Sequence, residues 1–171
     1  MEIGRIGVIA GAFDPIHIGH LKFIEDSIET YGLDTVFVLI EEKSRHKKSF
    51  ADFAHRKKIV EFSVKDNPKV EIYPAKTPSF PISSTLPELK SKYDAEVYLL
   101  VGNDVAEHIK TWDSSSELLE NVRLIVADRS SSDGHKRVSS GKVREQIKSG
   151  AQDVDMDSDA LGYCLQHNLY K

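Results

Sequence analysis

Cysteine is nearly missing from this chain: Cys164 is the single cysteine in 171 residues. An intrachain disulfide is therefore excluded, and the composition is typical of a reducing compartment. Cys164 lies between Leu161 and Leu165, a setting that favours core packing over nucleophilic chemistry. Long apolar runs are also missing, as is a charged start followed by an apolar segment. We therefore expect a cytoplasmic protein with no membrane partner.

Positive charge is not in excess either. The chain has 23 Lys and Arg residues against 27 Asp and Glu, which gives a formal net charge of −4. Tight non-specific binding to nucleic acid needs a basic surface that neutralises phosphates, so we expect no nucleic-acid partner. A local basic patch can still bind a small phosphorylated ligand. The length fits one domain spanning residues 1–171, and the oligomeric state is left open.

Short apolar segments rich in β-branched residues recur along the chain, separated by longer polar or amphipathic stretches. They lie at residues 5–10, 35–40, 69–73, 96–101 and 122–127. This alternation predicts a Rossmann-like α/β fold, in which a doubly wound parallel sheet of about five strands is flanked by helices and followed by a C-terminal helical segment.

Helical spacing marks the first segment between strands. Leu21, Ile24, Ile28 and Tyr31 share one face of a predicted helix, and Gly32 supplies its C-terminal stop. We expect this face to pack against the sheet.

Two later segments are also expected to be helical. The stretch "TPSFPISSTLPELK" at residues 77–90 predicts a proline-rich loop and then a helix that begins between Ser83 and Pro87. Near the C-terminus, Ser158 is the predicted cap of a closing helix. Leu161, Cys164 and Leu165 form its inward stripe, and we expect this helix to serve packing only.

The stretch "GAFDPIHIGHL" at residues 11–21 follows the first predicted strand directly. In an open parallel sheet, the first strand-to-helix turn is the usual place for a bound phosphate. Gly11 lets backbone N–H groups approach an anion there, and the helix N-terminus adds partial positive charge. The glycine spacing matches neither G-x-G-x-x-G nor G-x-x-x-x-G-K-[ST], which argues against hydride transfer and P-loop hydrolysis.

His17 and His20 give this turn its chemistry. At an opening helical turn, both imidazoles can face one phosphate, and Gly19 between them leaves room for a ligand. Such a pair suits a displacement at phosphorus, because imidazoles donate to phosphoryl oxygens as negative charge develops. The alternative is a histidine that caps the helix beside a solvated one. The flanking Gly11 and Phe13 favour the chemical interpretation.

A second candidate anion site lies in "VSSGKVR" at residues 138–144. Ser139 and Ser140 offer hydroxyls and N–H groups at a predicted helix start, and Arg144 can donate to two phosphate oxygens at once. A simple serine cap with a surface arginine is the alternative interpretation.

These two motifs carry a family resemblance. "GAFDPIHIGH" resembles the H-x-G-H signature of the nucleotidyltransferase superfamily, and "VSSGKVR" is similar to its second signature, I-S-S-T-x-I-R, in the same order. Members transfer a nucleoside monophosphate from ATP or CTP to a phosphate. The chain is too short for the extra domains of class I aminoacyl-tRNA synthetases, which share the first signature. The resemblance implies catalytic roles for His17, His20 and Arg144, and ATP binding by these three with Gly11, Ala12, Phe13, Ser139 and Ser140.

Three further stretches look like the bacterial nicotinate mononucleotide adenylyltransferases. They are "SRHKKSFADFAHRKKIVEF", "YLLVGNDVAEHIKTW" and "ALGYCLQHNLYK". In the first, the resemblance implies that His46 and Lys47 bind the substrate phosphate, whereas His55 and Arg56 are interpreted as structural. The last stretch, with its closing Leu-Tyr, indicates lineage and no chemical role.

The remaining site residues also come from this resemblance. Gly102 and Asp104 are expected at the adenosine, where a carboxylate can accept from ribose hydroxyls. Trp112 is expected to stack on the pyridine ring. Thr85 is assigned to the acceptor site, although the family's Ser-Tyr-Thr is replaced by Ser79-Phe80-Pro81.

The resemblance implies that AMP passes from ATP to nicotinate mononucleotide, giving deamido-NAD and pyrophosphate in NAD biosynthesis. The expected partners are these small molecules. Mg²⁺ would be held mainly by the ATP phosphates, with no metal site of the protein itself. Two alternatives stay open: adenylyl transfer to phosphopantetheine or nicotinamide mononucleotide, and a nucleotide-binding homologue without turnover.

Overall fold

A computed structural model of the chain describes residues 4–42, 48–73, 82–111, 115–127 and 138–171, with residues 82–84 described by their backbone alone. Its centre is a five-stranded sheet. The strands are β1 (Gly4–Gly11), β2 (Thr35–Ile40), β3 (Val70–Ile72), β4 (Ala95–Val101) and β5 (Arg123–Val126). They lie in the order β3-β2-β1-β4-β5, and every neighbouring pair is parallel. The predicted sheet and its strand positions are confirmed.

Helices cover both faces of the sheet. They are α1 (Ile18–Tyr31), α2 (Phe53–Val64), α3 (Ile82–Tyr93), α4 (Asn103–His108), α5 (Ser115–Asn121), α6 (Ser140–Ser149) and α7 (Ser158–Gln166). Alternate residues of β1 belong to different cores: Ile9 packs with α1, α2, α6 and α7, whereas Val8 packs with α3 and α5. Across the described ranges, every helix is too short or too polar to cross a bilayer.

The helix α1 ends where the sequence predicts. Gly32 takes a left-handed conformation with φ 61°, and its N–H donates to the Ile28 carbonyl. Ile24 and Ile28 are buried as expected. The prediction of an inward Tyr31 is wrong, because this side chain is 41% exposed. Its ring tilts against that of the buried Tyr98, with 6.0 Å between the ring centres, so Tyr31 lies at the edge of the core.

The closing helix α7 differs from its prediction in two respects. Its cap is Asp157 and not Ser158, because the Asp157 carboxylate accepts from two N–H groups at 2.9 and 3.0 Å. Leu165 is 46% exposed, so its place on the inward stripe is wrong, whereas Cys164 is fully buried as expected. Burial raises the pKa of the Cys164 thiol to about 12, which keeps it protonated and unreactive.

We expect the substitution Gly7→Ala to destabilise the sheet. A Cβ at Gly7 would lie 2.9 Å from Leu33 Cδ1, 3.0 Å from Val36 Cγ2 and 3.2 Å from Leu100 Cδ1. These side chains are buried and cannot withdraw without opening the core. The free energy of unfolding, measured by urea denaturation, should fall by about 1–3 kcal/mol.

The matched control for this experiment is Gly162→Ala in α7. A Cβ at Gly162 meets nothing within 4 Å, so this variant should be as stable as the parent or more so. Equal unfolding midpoints for the parent and Gly7→Ala would contradict the crowding inferred at β1.

Candidate active site

The turn between β1 and α1 lies at the carboxyl edge of the sheet. Gly11 ends β1, and the Phe13 ring lies against it, with Cζ 3.5 Å from where a Gly11 Cβ would stand. Phe13 has a left-handed backbone with φ 47° and a buried ring. The Asp14-Pro15 peptide is cis. The backbone of residues 11–13 thus lies between the end of β1 and the N-terminus of α1, in the turn for which the sequence predicts a phosphate site.

His17 and His20 stack on each other at the start of α1. Their ring centres are 3.7 Å apart, with 29° between the ring planes. The His17 N–H donates to His20 Nδ1 at 3.2 Å. A backbone N–H can only donate, so Nδ1 must accept, and the proton of the neutral His20 ring lies on Nε2. His20 therefore caps the helix through one nitrogen and offers an N–H donor through the other.

Gly19 lets the two motifs approach each other. A Cβ at Gly19 would lie 3.1 Å from His17 Cε1 and 3.6 Å from the Cβ of Val138, which opens the second motif. Within that motif, Ser139 is the N-cap of α6, and its Oγ accepts from the Lys142 N–H at 3.2 Å. The helix start predicted at Ser139 and Ser140 is confirmed.

Direct hydrogen bonds join the second motif to the first. The Ser140 hydroxyl donates to the Pro15 carbonyl at 2.8 Å, and Arg144 Nη1 donates to the Asp14 carbonyl at 2.8 Å. These partners are 125 and 130 residues apart in the sequence. The N-termini of α1 and α6 therefore meet at one turn, and both present the positive ends of helix dipoles there.

The Arg144 guanidinium lies over the Phe50 ring, with 3.9 Å between its central carbon and the ring centre. Phe50 is 65% exposed, so this cation–π contact faces solvent. A guanidinium carries five N–H donors, so the bond to Asp14 still allows Arg144 to donate to a phosphate.

Two predicted adenosine residues lie at the end of β4. Gly102 is the N-cap of α4, and its carbonyl accepts from the Ala106 N–H at 2.9 Å. Asp104 is exposed in the first turn of α4. Because β4 pairs directly with β1, these residues follow a strand end that neighbours the Gly11 turn.

The predicted acceptor residues are only partly described. Thr85 is half-buried in α3, a helix that packs against β4 and α5. This helix begins at Ile82, earlier than expected, and contains Pro87 in its second turn, where the proline has no N–H to donate to the Ser83 carbonyl. Outside the described residues lie His46, Lys47, Trp112 and the substituted Ser79-Phe80-Pro81.

Sequence reasoning missed the role of Asp14. Its carboxylate is 8% exposed and accepts from the Phe50 N–H at 2.6 Å, the Ala51 N–H at 3.1 Å and the Tyr170 hydroxyl at 2.8 Å. One sequence signal was available: an acidic residue in a turn that is expected to bind anions is unfavourable unless hydrogen-bond donors or cations stabilise its charge.

Arg56 connects the turn after β1 to the segment after β2. Its side chain is fully buried in α2 and donates to backbone carbonyls alone among the described contacts. The acceptors, at 2.5 to 3.1 Å, are the carbonyl oxygens of Ala12, Glu41, Glu42 and Ala51. The structural interpretation of Arg56 is confirmed.

In the described part of this site, the donor set does not fit a resident divalent metal. Among the described residues, no group of three or more His, Cys, Asp or Glu side chains could hold a metal ion. The Asp14 carboxylate is occupied by N–H and O–H donors. Mg²⁺ is commonly bound through substrate phosphates and water, with few protein ligands.

Comparison with known proteins shows the family to which the chain belongs. A family model described as cytidylyltransferase-like matches residues 8–148, a span that includes both motifs. The chain belongs to this cytidylyltransferase-like family, and the resemblance predicted from the motifs is confirmed.

Curated relatives of the chain carry the name probable nicotinate-nucleotide adenylyltransferase. The chain is 33% identical over 130 residues to the "Probable nicotinate-nucleotide adenylyltransferase" of Dictyoglomus turgidum, covering 73% of this chain and 64% of that protein. It is 30% identical over 195 residues to the protein of the same name from Albidiferax ferrireducens, covering 98% of each.

A solved structure gives the same fold. Plasmodium falciparum nicotinic acid mononucleotide adenylyltransferase complexed with NaAD aligns with a TM-score of 0.76 at 16% identity. The alignment covers 98% of this chain and 97% of that chain. At this identity, the likeness supports the Rossmann-like fold.

Proposed function

We propose that this protein transfers AMP from ATP to nicotinate mononucleotide, releasing pyrophosphate and forming deamido-NAD. The observation that carries the proposal is the direct bonding of Ser140 and Arg144 to the Asp14-Pro15 turn. Transfer at the α-phosphorus needs donors on both the transferred group and the leaving group, and this bonding puts both motifs at one turn. The names of the relatives support the choice of acceptor.

The reaction is a single in-line displacement. The 5′-phosphate of the acceptor attacks the α-phosphorus, the bond from that phosphorus to the bridging oxygen breaks, and pyrophosphate leaves. Positioning and charge stabilisation suffice for such a step, so no covalent enzyme intermediate is required. His20 donates from Nε2 to an α-phosphoryl oxygen, and His17 stacks beside it.

The second motif holds the leaving pyrophosphate. Arg144 donates to its oxygens, while Ser139 and Ser140 contribute N–H groups at the start of α6. The Ser140 hydroxyl is bound to Pro15, so this residue acts through its backbone. Mg²⁺ would be held mainly by the ATP phosphates, where it would neutralise part of their charge.

The nucleoside parts bind along the carboxyl edge of the sheet. The backbone of Gly11, Ala12 and Phe13 lies against the nucleotide, and Gly102 with Asp104 receives the ribose. The acceptor is bound by Thr85 together with His46, Lys47 and Trp112.

An acceptor panel tests the proposal. Purified protein with ATP and Mg²⁺ is given nicotinate mononucleotide, nicotinamide mononucleotide or phosphopantetheine, and both pyrophosphate and the adenylylated product are measured. We expect kcat/KM for nicotinate mononucleotide to exceed that for the other two by about 100-fold or more, because polar recognition groups left unpaired disfavour the wrong acceptor.

The controls separate the alternatives. A reaction without acceptor should release no pyrophosphate. Preference for another acceptor would replace the proposed substrate while keeping the reaction. Calorimetric binding of ATP with no product from any acceptor would identify a nucleotide-binding protein without turnover.

A further inference from the structure

Tyr170 connects the C-terminus to the turn that carries the catalytic motif. Its hydroxyl donates to Asp14 Oδ1 at 2.8 Å, across 156 residues of sequence. Burial and the charge of Asp14 both raise the pKa of Tyr170 well above its ordinary range. The hydroxyl therefore stays protonated and donates to the carboxylate throughout the working pH range.

Asp14 in turn controls both supports of the Arg144 guanidinium. Its carbonyl accepts from Arg144 Nη1 at 2.8 Å. Its carboxylate holds the backbone of Phe50, whose ring lies under the guanidinium. Arg144 thus contacts both the Asp14 carbonyl and the Phe50 ring. A displacement of the Asp14 side chain would move the Phe50 ring relative to the Asp14 carbonyl.

The backbone is strained at Tyr170 and at Phe13, the residue before Asp14. Phe13 and Tyr170 have φ values of 47° and 62°, a left-handed region that residues with a Cβ rarely adopt. Chain termini relax unless contacts tie them down, and strained residues persist only where their surroundings fix them. Besides the Asp14 bond, the contacts that hold the tail include the packing of Leu169 and Tyr170 against the core and the Leu169 N–H, which donates to the Cys164 carbonyl at 2.9 Å.

We infer that Tyr170 is a positioning residue for Arg144, which it orients through Asp14 and Phe50. This inference rests on the proposed function, in which Arg144 holds the phosphates of ATP. Tyr170 itself touches no substrate in this scheme. Its contribution is to keep the Asp14 carboxylate, and with it the Phe50 ring, in a single position.

The test is Tyr170→Phe in the full chain, which removes one hydroxyl and keeps the ring. We expect kcat/KM for ATP to fall about 10-fold, the effect of losing a hydrogen bond to a charged group. The matched control is Tyr163→Phe. The Tyr163 hydroxyl bonds His55 Nδ1 at 2.9 Å, away from Asp14, so its loss should leave kcat/KM unchanged.

A double-mutant cycle distinguishes positioning from a general loss of stability. In an Arg144→Ala background, Tyr170→Phe should have no further effect on kcat/KM, because the group it orients is gone. Additive losses in the cycle would overturn the inference. An active parent with an equally active Tyr170→Phe would also overturn it, whereas a parent inactive on every acceptor would refute the proposed function instead.

Phe50→Leu keeps the inference testable if Tyr170→Phe folds poorly. Phe50 is largely exposed, so its replacement removes the ring beneath Arg144 without opening the core. We expect a fall in kcat/KM for ATP of similar size, again about 10-fold. Full activity in Phe50→Leu would show that the Phe50 ring does not position Arg144 and would overturn the inference.

Discussion

Replacing His20 with alanine is expected to lower kcat for adenylyl transfer about 100-fold or more. The His17 N–H occupies Nδ1 of this ring, so Nε2 carries the proton and can donate to the α-phosphoryl oxygen. That bond strengthens as negative charge develops, so its loss should appear in kcat more than in the Michaelis constant for ATP. Steady-state pyrophosphate release measures both, and circular dichroism checks that the variant folds.

Two amide variants show which nitrogen matters. In His20→Gln the amide N–H₂ can take the place of Nε2, whereas in His20→Asn the amide oxygen can take the place of Nδ1 and accept from His17. We expect Gln to retain more activity than Asn. His167→Ala, an exposed histidine at the end of α7, should be fully active. An active His20→Ala, or Asn above Gln, would refute the donor role of Nε2.

The features predicted correctly from the sequence are those with local signals. Buried parallel strands appear as continuous apolar runs, so the strands could be placed within a residue or two. Gly32 and Ser139 lie at helix ends where the backbone itself demands a left-handed residue or a side-chain acceptor.

The errors arise where local patterns have no unique solution. Helical spacing put Tyr31 and Leu165 on inward faces. The spacing does not show at which residue a helix extends past the neighbouring side chains that would bury it. Asp157 and Ser158 both suit a cap, and only the packed structure selects between neighbours one residue apart.

In the candidate site, too, contacts between residues close in the sequence could be predicted, whereas contacts between distant residues could not. His17 and His20 lie within one helical turn, so their meeting could be predicted from spacing. The partners of Asp14 come from residues 36 to 156 positions away, and no periodicity joins them. Such contacts depend on the order of the strands and on the return of the C-terminus across α2, which become visible only in the fold.

Arg56→Met is expected to lower the free energy of unfolding more than Gly7→Ala does. The guanidinium is fully buried, and its donors satisfy four backbone carbonyls around the β1 turn and the segment after β2. Methionine fills the space of the stem but donates nothing, so these carbonyls would lose their partner, and the Ala51 carbonyl would lose it in a buried setting. The free energy of unfolding should fall by about 3 kcal/mol or more.

Two further variants make this experiment decisive. Lys57→Met removes a neighbouring cation of α2 that is 51% exposed and lies 3.9 Å from Glu61, and it should change stability by less than about 0.5 kcal/mol. Arg56→Lys keeps the charge but cannot reach all the carbonyls, so its urea midpoint should fall between those of the parent and Arg56→Met. Equal midpoints for Arg56→Met and Lys57→Met would mean that water replaces the guanidinium at little cost, and Arg56 would then not stabilise the turn between β1 and α1.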